Sequence, residues 1–255
     1  MIPGAPSRLV TMGRTTKAEA VVLRSLRFSE ADRILHLYTL ERGRVGAIAK
    51  GIRKTKSRFG ARLEPLSHVE LMLHQGSGEL DTVTGASLIA SHRAAREDRY
   101  RLEVGLVGAE AMLRLFTEPE ANARAFTALT RFLDALDSTP PATTRPAVDP
   151  LALSFQLKLL WLSGYLPHVT SCVECGSDAL VGFSARAGGA VCREHARDAL
   201  ALSPDGLAGI EALLSAPLAD AHAIGMSDRA RRDALAVITS SYEEHGGFRL
   251  RTLSA

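Results

Sequence analysis

"SHVELMLH", residues 67–74, sets Val69, Leu71 and Leu73 against His68, Glu70 and His74. Successive side chains of a strand point to opposite faces, so this period of two describes a strand with one buried and one wet face. Four more β-rich runs stand around it: "AEAVVLRSL" (18–26), "RILHLYTL" (33–40), "RVGAIAKG" (44–51) and "ELDTVTGASLI" (79–89). Glu41 to Gly43 and "QGSG" (75–78) supply turns between neighbours. Five short strands in so little chain predict a small closed or partly closed barrel, with an open meander as the alternative.

Beyond residue 92 the spacing becomes helical. Leu102, Leu106, Ala109, Leu113 and Phe116 fall on one face, as do Phe126, Leu129, Phe132, Leu133 and Leu136. "TPPATTRPAVDP" (139–150) holds four prolines and reads as a linker or long surface loop. "LALSFQLKLLWLSGYLP" (151–167) is apolar nearly all round and predicts a central buried helix, with Leu153, Leu157, Leu160 and Trp161 in the core. Two further helices are expected around 204–215 and 227–245. There is no internal repeat.

The chain has 255 residues and an apolar fraction of 46%, enough for one large core or two modest ones. "MIPGAPSRLVTMGRTTK" has no apolar run of signal length, and the apolar stretch 151–162 is too short to span a bilayer and contains Lys158. A soluble cytoplasmic protein without membrane contact is the expectation.

Charge is unevenly spread. Residues 1–68 hold 14 Lys or Arg against 5 Asp or Glu, and residues 69–255 hold 17 against 23. Within "GIRKTKSRFGAR" (51–62), Arg53, Lys54, Lys56, Arg58 and Arg62 are cations with no acid among them. Clustered like charge raises the free energy of the compact state, so a run of this kind points to a polyanion. On a barrel the run becomes the connection from strand 3 to strand 4. The first connection adds Arg27 and Arg33 with Arg24 just before it, and strand 3 adds Arg44 and Lys50. The fourth loop, "HQGSGE", adds no Lys or Arg. Bases stack on exposed aromatics, and the barrel offers only Phe28, Tyr38 and Phe59. Phe28 and Phe59, flanked by cations, are the candidate stackers, and Tyr38 is equally a core residue. Few aromatics among many cations predict phosphate tracking with little sequence reading, on single and double strands alike.

All three cysteines lie in "CVECGSDALVGFSARAGGAVCREH" (172–195). Cys172 and Cys175 form one knuckle, and Cys192 with His195 forms another, with "ARAGG" turning the chain between them. Three thiolates and an imidazole make a tetrahedral set for Zn²⁺. Four protein ligands leave no open position, so the expected zinc is structural, with His168 as a competitor for the fourth place. The "HVE" at 68–70 and the later "CVEC" miss the zinc-deaminase pattern, because Ser171 stands where proline is required. No phosphate loop, nucleophile elbow or H-E-x-x-H motif occurs, so no catalytic residue is assigned.

A basic five-strand segment containing "AKGIRKTKSRFGARLEPLSHVEL", followed by a helical domain interrupted by "CVECG…FSARAGGAVC", resembles the RecO family of bacterial recombination mediators. The likeness covers the chain from about Met12, with residues 1–11 as an extension. It implies an α+β multidomain protein: an N-terminal OB-fold barrel (1–88), then a helical domain (89–255) with an inserted zinc-binding hairpin at about 169–197. It further implies DNA binding and strand annealing without ATP, partnership with RecR and the single-stranded-DNA-binding protein, and help in loading RecA, in the cytoplasm at the nucleoid. Lys50, Arg53, Lys54, Lys56 and Arg58 would form part of the DNA surface. Cys172, Cys175 and Cys192 fall on the family's metal positions, and His195 stands at a fourth position that is often cysteine. The rival expectations are a zinc-containing protein-interaction scaffold with incidental nucleic-acid binding, a zinc enzyme, and RNA in place of DNA.

Overall fold

The protein is described here by a computed structural model, in which residues 14–54, 57, 59–76, 78–139 and 144–253 are described. Five strands, β1 (Thr15–Arg27), β2 (Arg33–Thr39), β3 (Gly43–Ala49), β4 (His68–His74) and β5 (Asp81–Ala90), close into a barrel of order β1-β2-β3-β5-β4. The meander alternative is thereby excluded. β1 is long enough to pair with β2 along one stretch and with β4 along another, and an irregularity between Val22 and Arg24 bends it. Closure needs one parallel contact, between β3 and β5, and it removes the exposed edges. Alternation points Ala20, Val22, Leu35, Leu37, Val45, Ala47, Val69, Leu71 and Leu73 inward to form the barrel core.

The connection from β3 to β4 is a plug rather than a free loop. Ile52, Phe59 and Leu63 enter the barrel core, and a 3₁₀ turn over Gly60–Leu63 carries the last of them. Phe59 is 1% exposed, which corrects the expectation of a base-stacking platform there. Its apolar ring gains more from the barrel interior than its cationic neighbours can hold at the surface.

After β5 come α1 (Arg93–Glu97), α2 (Arg99–Leu115), α3 (Ala123–Ser138), α4 (Pro150–Leu162), the strands β6 (Leu180–Ser184), β7 (Gly189–Cys192) and β8 (Leu200–Ala201), then α5 (Pro204–Ser215) and α6 (Asp228–Gly246). α4 is the central helix: every residue from Pro150 to Leu160 except Lys158 is buried. Trp161 is the exception to its predicted core, at 52% exposed. It sits where the helix emerges from the bundle. α2 buries a wider face than expected: Ala109 is buried and Leu102, Leu113 and Phe116 pack against the core as predicted, Val104, Gly105, Val107, Gly108, Ala111 and Met112 are buried as well, and Leu106 alone of the expected set is exposed. The described end of the proline-rich segment is not a free linker. Ala147 and Asp149 are buried, and Asp149 caps α4 through the amides of Leu151 and Ala152 at 2.8 and 3.2 Å.

Barrel and bundle share one apolar core. Val21, Leu23, Tyr38 and Leu66 face away from the barrel interior and pack with the helices, and Phe116 meets the Tyr38 ring edge-on at 5.8 Å. Tyr38 is therefore core, and burial pushes its phenol up to about 12. No helix among the described residues is long and apolar enough to cross a membrane.

Candidate nucleic-acid interface and metal centre

The β1–β2 and β3–β4 connections meet at one end of the barrel and are hydrogen-bonded together. Asp32 accepts the Gly51 amide at 2.7 Å, the Arg53 amide donates to Ala31 at 3.0 Å, and the Arg53 guanidinium donates to the Glu30 carbonyl at 2.8 Å. Ile52 and Phe59 anchor the run from inside while Arg53 and Lys54 stay exposed. Lys50 and Arg27 are exposed at the same end, where Arg27 pairs in register with Arg33. Arg33 is half-buried, 3.6 Å from Glu64 and 3.3 Å from the Ser25 hydroxyl. Arg62 donates to the Phe59 carbonyl at 3.3 Å, which turns it toward the plug. Phe28, 59% exposed in the first connection, remains available for stacking. Lys56 and Arg58 lie outside the described residues.

Arg24 and Arg44 do not join this group. Arg24 pairs with His36 across β1 and β2, and Arg44 pairs with Tyr38 across β2 and β3. Both stand on the outer barrel face where it meets α2, and the Arg44 guanidinium lies 3.4 Å from the Leu113 carbonyl. The predicted cations thus divide between a loop end and an interdomain cleft.

A separate groove of about 1070 Å³ runs along α3 and α4. Trp161, Leu162 and Leu218 line it, and Arg124, Arg131 and Lys158 stand at its border. The Lys158 ammonium donates to the Leu213 and Leu214 carbonyls at 2.8 and 2.9 Å, capping α5, and burial lowers its pKa.

The candidate metal centre is built by two turns and a hairpin. Gly176, at φ +76°, closes the first knuckle by returning its amide to the Cys172 carbonyl at 2.8 Å. β6 and β7 pair antiparallel through a turn ending at Gly188, and Cys192 leads into a 3₁₀ turn over Arg193–His195. The donor atoms of Cys172, Cys175, Cys192 and His195 all lie within 4.8 Å of one another. Cys175 and Cys192 sulfurs are 3.8 Å apart, and the His195 Nδ1 is 3.3 Å from Cys192 and 3.6 Å from Cys172. Metal–sulfur bonds of about 2.3 Å in a tetrahedron put sulfurs about 3.8 Å apart, so the set fits and could hold a metal ion. Burial works against the Cys172 thiolate, but the amides of Cys192, Glu174 and Cys175 outweigh it and bring the thiol down to about 6. His168 is outside the cluster: its ring meets the Ser171 hydroxyl at 2.9 Å.

A closed five-stranded barrel with cations at its loop end, docked on a helical domain that carries a three-cysteine, one-histidine cluster able to hold a metal ion, defines a barrel-and-bundle class of protein. Residues 12–92 match the family described as recombination protein O, N terminal, and residues 96–254 match its C-terminal counterpart. The chain belongs to the RecO family of DNA repair proteins. It is 41% identical to DNA repair protein RecO of Rubrobacter xylanophilus over 80% of this chain and 83% of that one. Identity to the RecO protein of Frankia casuarinae is 37%, over 92% and 95% of the two chains. Identity to that of Anaeromyxobacter sp. is 33%, over 92% of each.

Proposed function

We propose that this chain is a recombination mediator that binds single- and double-stranded DNA at the loop end of its barrel and anneals complementary strands without ATP. The observation that carries this reading is the convergence of Arg27, Arg33, Lys50, Arg53 and Lys54 on two connections tied to each other by hydrogen bonds. Two strands repel through their phosphates. A fixed array of cations lowers that repulsion and concentrates both strands, and base pairing then supplies the free energy. Nothing in this scheme requires a bond to be made or broken by the protein, and we assign it no catalytic residue.

Zinc is the metal we assign to the Cys172, Cys175, Cys192 and His195 set, in a structural role. Four protein donors complete its coordination, and the cluster's own apolar core is too small to hold the hairpin: Cys172, Val191 and Cys192 with four partly buried neighbours. In the same reading, the apolar groove bordered by Arg124, Arg131 and Lys158 receives the acidic, hydrophobic tail of the single-stranded-DNA-binding protein. Its chemistry suits a segment with carboxylates beside apolar side chains. RecR would then join the complex, and RecA would be loaded on the strand so exposed, in the cytoplasm at the nucleoid.

The test is annealing of complementary strands coated with their cognate binding protein, without ATP. Wild-type protein is expected to accelerate pairing, less so as salt rises. Arg53→Glu/Lys54→Glu is expected to slow it at least tenfold and to flatten the salt dependence of binding. Acceleration that survives the double reversal would remove this end of the barrel from the working surface. The scaffold reading would then take its place.

A further inference from the structure

On the outer barrel face, away from the loop end, a cleft of about 810 Å³ separates the barrel from the helical domain. Arg24 and Arg44 line its barrel wall. Arg114, at the end of α2, and Arg251, in the C-terminal 3₁₀ turn, line the opposite wall. One carboxylate, Glu110, stands among these four guanidiniums, and it is already engaged. It accepts the Arg251 amide and the Thr252 amide at 3.0 Å each, and the Thr252 hydroxyl at 2.7 Å. Burial opposes its ionisation, yet these hydrogen bonds, and after them the nearby charge of Arg114, hold its carboxyl below the ordinary value. None of the four arginines has a carboxylate within ion-pair distance among the described residues.

We infer that this cleft is a second phosphate-backbone site, in which the helical domain supplies Arg114 and Arg251 to a nucleic-acid strand lying on the outer face of β1, β2 and β3. This rests on the DNA-binding reading of the barrel and extends it across the domain boundary. First, the two groups of cations are joined by one face. Ile34 and His36 point outward along β2 between them, and the rise from Arg33 to His36 is about 10 Å, at roughly 3.3 Å per residue. A strand leaving the loop cations therefore reaches the cleft with no gap longer than a few phosphates. Secondly, the cleft repels positive charge. Burial, then the charges of Arg44 and Arg24, lower the pKa of His36 between them. Thirdly, the cations are presented and not merely dispersed. Arg114 lies over the Phe248 ring at 5.7 Å, and Arg44 is steadied by the Leu113 carbonyl, so less side-chain freedom is lost when a phosphate arrives. A single phosphate would leave most of the volume empty and most of the charge unmatched, whereas a strand fills both.

Fluorescence anisotropy of a labelled single strand, with the full chain over a salt series, tests this. Each phosphate contact on a single strand contributes about 0.7 to the slope of log affinity against log salt. Arg114→Gln/Arg251→Gln is therefore expected to weaken binding and reduce that slope by about 1.4. Arg114→Lys/Arg251→Lys, which keeps the charge, is expected to retain the wild-type slope. If the lysine variant loses it as well, disturbed packing around Phe248 is the cause and the assignment falls. Arg53→Gln/Lys54→Gln serves as the reference at the loop end. A slope lowered by the loop variant but untouched by the cleft variant overturns the cleft site and leaves the barrel reading standing. A slope untouched by either overturns both. Calorimetric titration with inorganic phosphate separates the two sources of anion. Saturable phosphate binding that the glutamine variant abolishes, with the DNA slope unchanged, makes the cleft a small-anion site and overturns the strand assignment.

Discussion

Asp149 makes one carboxylate serve three elements. One oxygen caps α4, and the other accepts the Tyr100 hydroxyl at 2.7 Å and His222 Nε2 at 3.0 Å, all in a buried setting. Burial alone would raise its pKa, but the His222 hydrogen bond and charge, with Tyr100 and the Ala152 amide, lower it. Asp149→Ala removes a cap and strands two donors, and is expected to cost about 2–3 kcal/mol in urea unfolding. Asp149→Asn keeps a capping oxygen and loses the charge, so its deficit is smaller and depends on pH. The folded-state pKa lies below the unfolded value of about 3.9. The charge-dependent stability is thus fully present above that value and is lost as pH falls through the folded-state pKa. The two unfolding curves should converge in acid, and a gap that stays constant to low pH would contradict the pairing. The four prolines of 139–150 drew attention to a loop, although an aspartate followed by proline and an apolar run is itself a helix start. Phe59 misled for a similar reason. Its basic neighbours suggested a surface, while the apolar series Ile52, Phe59 and Leu63 carried the plug.

Among elements, legibility follows how well the pattern isolates one cause. The barrel strands were readable as β-rich runs, β4 most directly because it alternates with one wet face, whereas β1 and β2 also bury Val21, Leu23 and Tyr38 on the outer side. The clustering of Cys172, Cys175, Cys192 and His195 was readable because two knuckles restrict where three cysteines and a histidine can go. The face of α2 was legible only in part: Ala109, Leu102, Leu113 and Phe116 pack inward as expected, but the closest packing is made by glycines that a count of apolar residues passes over. A Cβ at Gly108 would sit 2.5 Å from the Phe132 ring, and Phe132 itself stacks on Phe155 at 4.2 Å. Trp161 was misplaced because α4 is apolar all round, so nothing in its period marks the end that leaves the core. The hairpin that carries the candidate metal site can be tested directly. Cys175 is exposed, so Cys175→Ser removes one thiol of the cluster with little loss of packing. The variant is expected to bind metal far more weakly by mass spectrometry. Proteolysis within 169–197 should increase, while the barrel keeps its amide protection. Equal protease resistance with and without metal would show that the hairpin stands on its own packing.

At the scale of the whole molecule, the cleft that joins Arg24 and Arg44 to Arg114 and Arg251 exists only because barrel and bundle are locked at a fixed angle. No spacing along the chain could reveal it, since topology alone brings the C-terminal turn beside β1. The lock is visible in two residues with positive φ, Leu66 at 67° and His92 at 42°. Side chains rarely adopt that region, so both conformations depend on what surrounds them. His92 Nδ1 donates to the Leu66 carbonyl at 2.8 Å, and its Nε2 is 3.0 Å from Asp134 on α3. One buried ring therefore ties the start of β4 to the bundle at the point where the chain leaves the barrel. His92→Gly keeps the backbone comfortable and deletes both hydrogen bonds, so it isolates the lock from the strain. Because Val21, Leu23, Tyr38 and Leu66 share a core with the helices, the wild type should unfold in a single calorimetric transition. In His92→Gly the coupling weakens. The transition is expected to broaden or divide, and single-strand affinity to fall toward that of a protein whose cleft arginines have been neutralised. Two transitions with undiminished affinity would mean that the barrel binds DNA by itself, and that the angle between the domains serves some other contact.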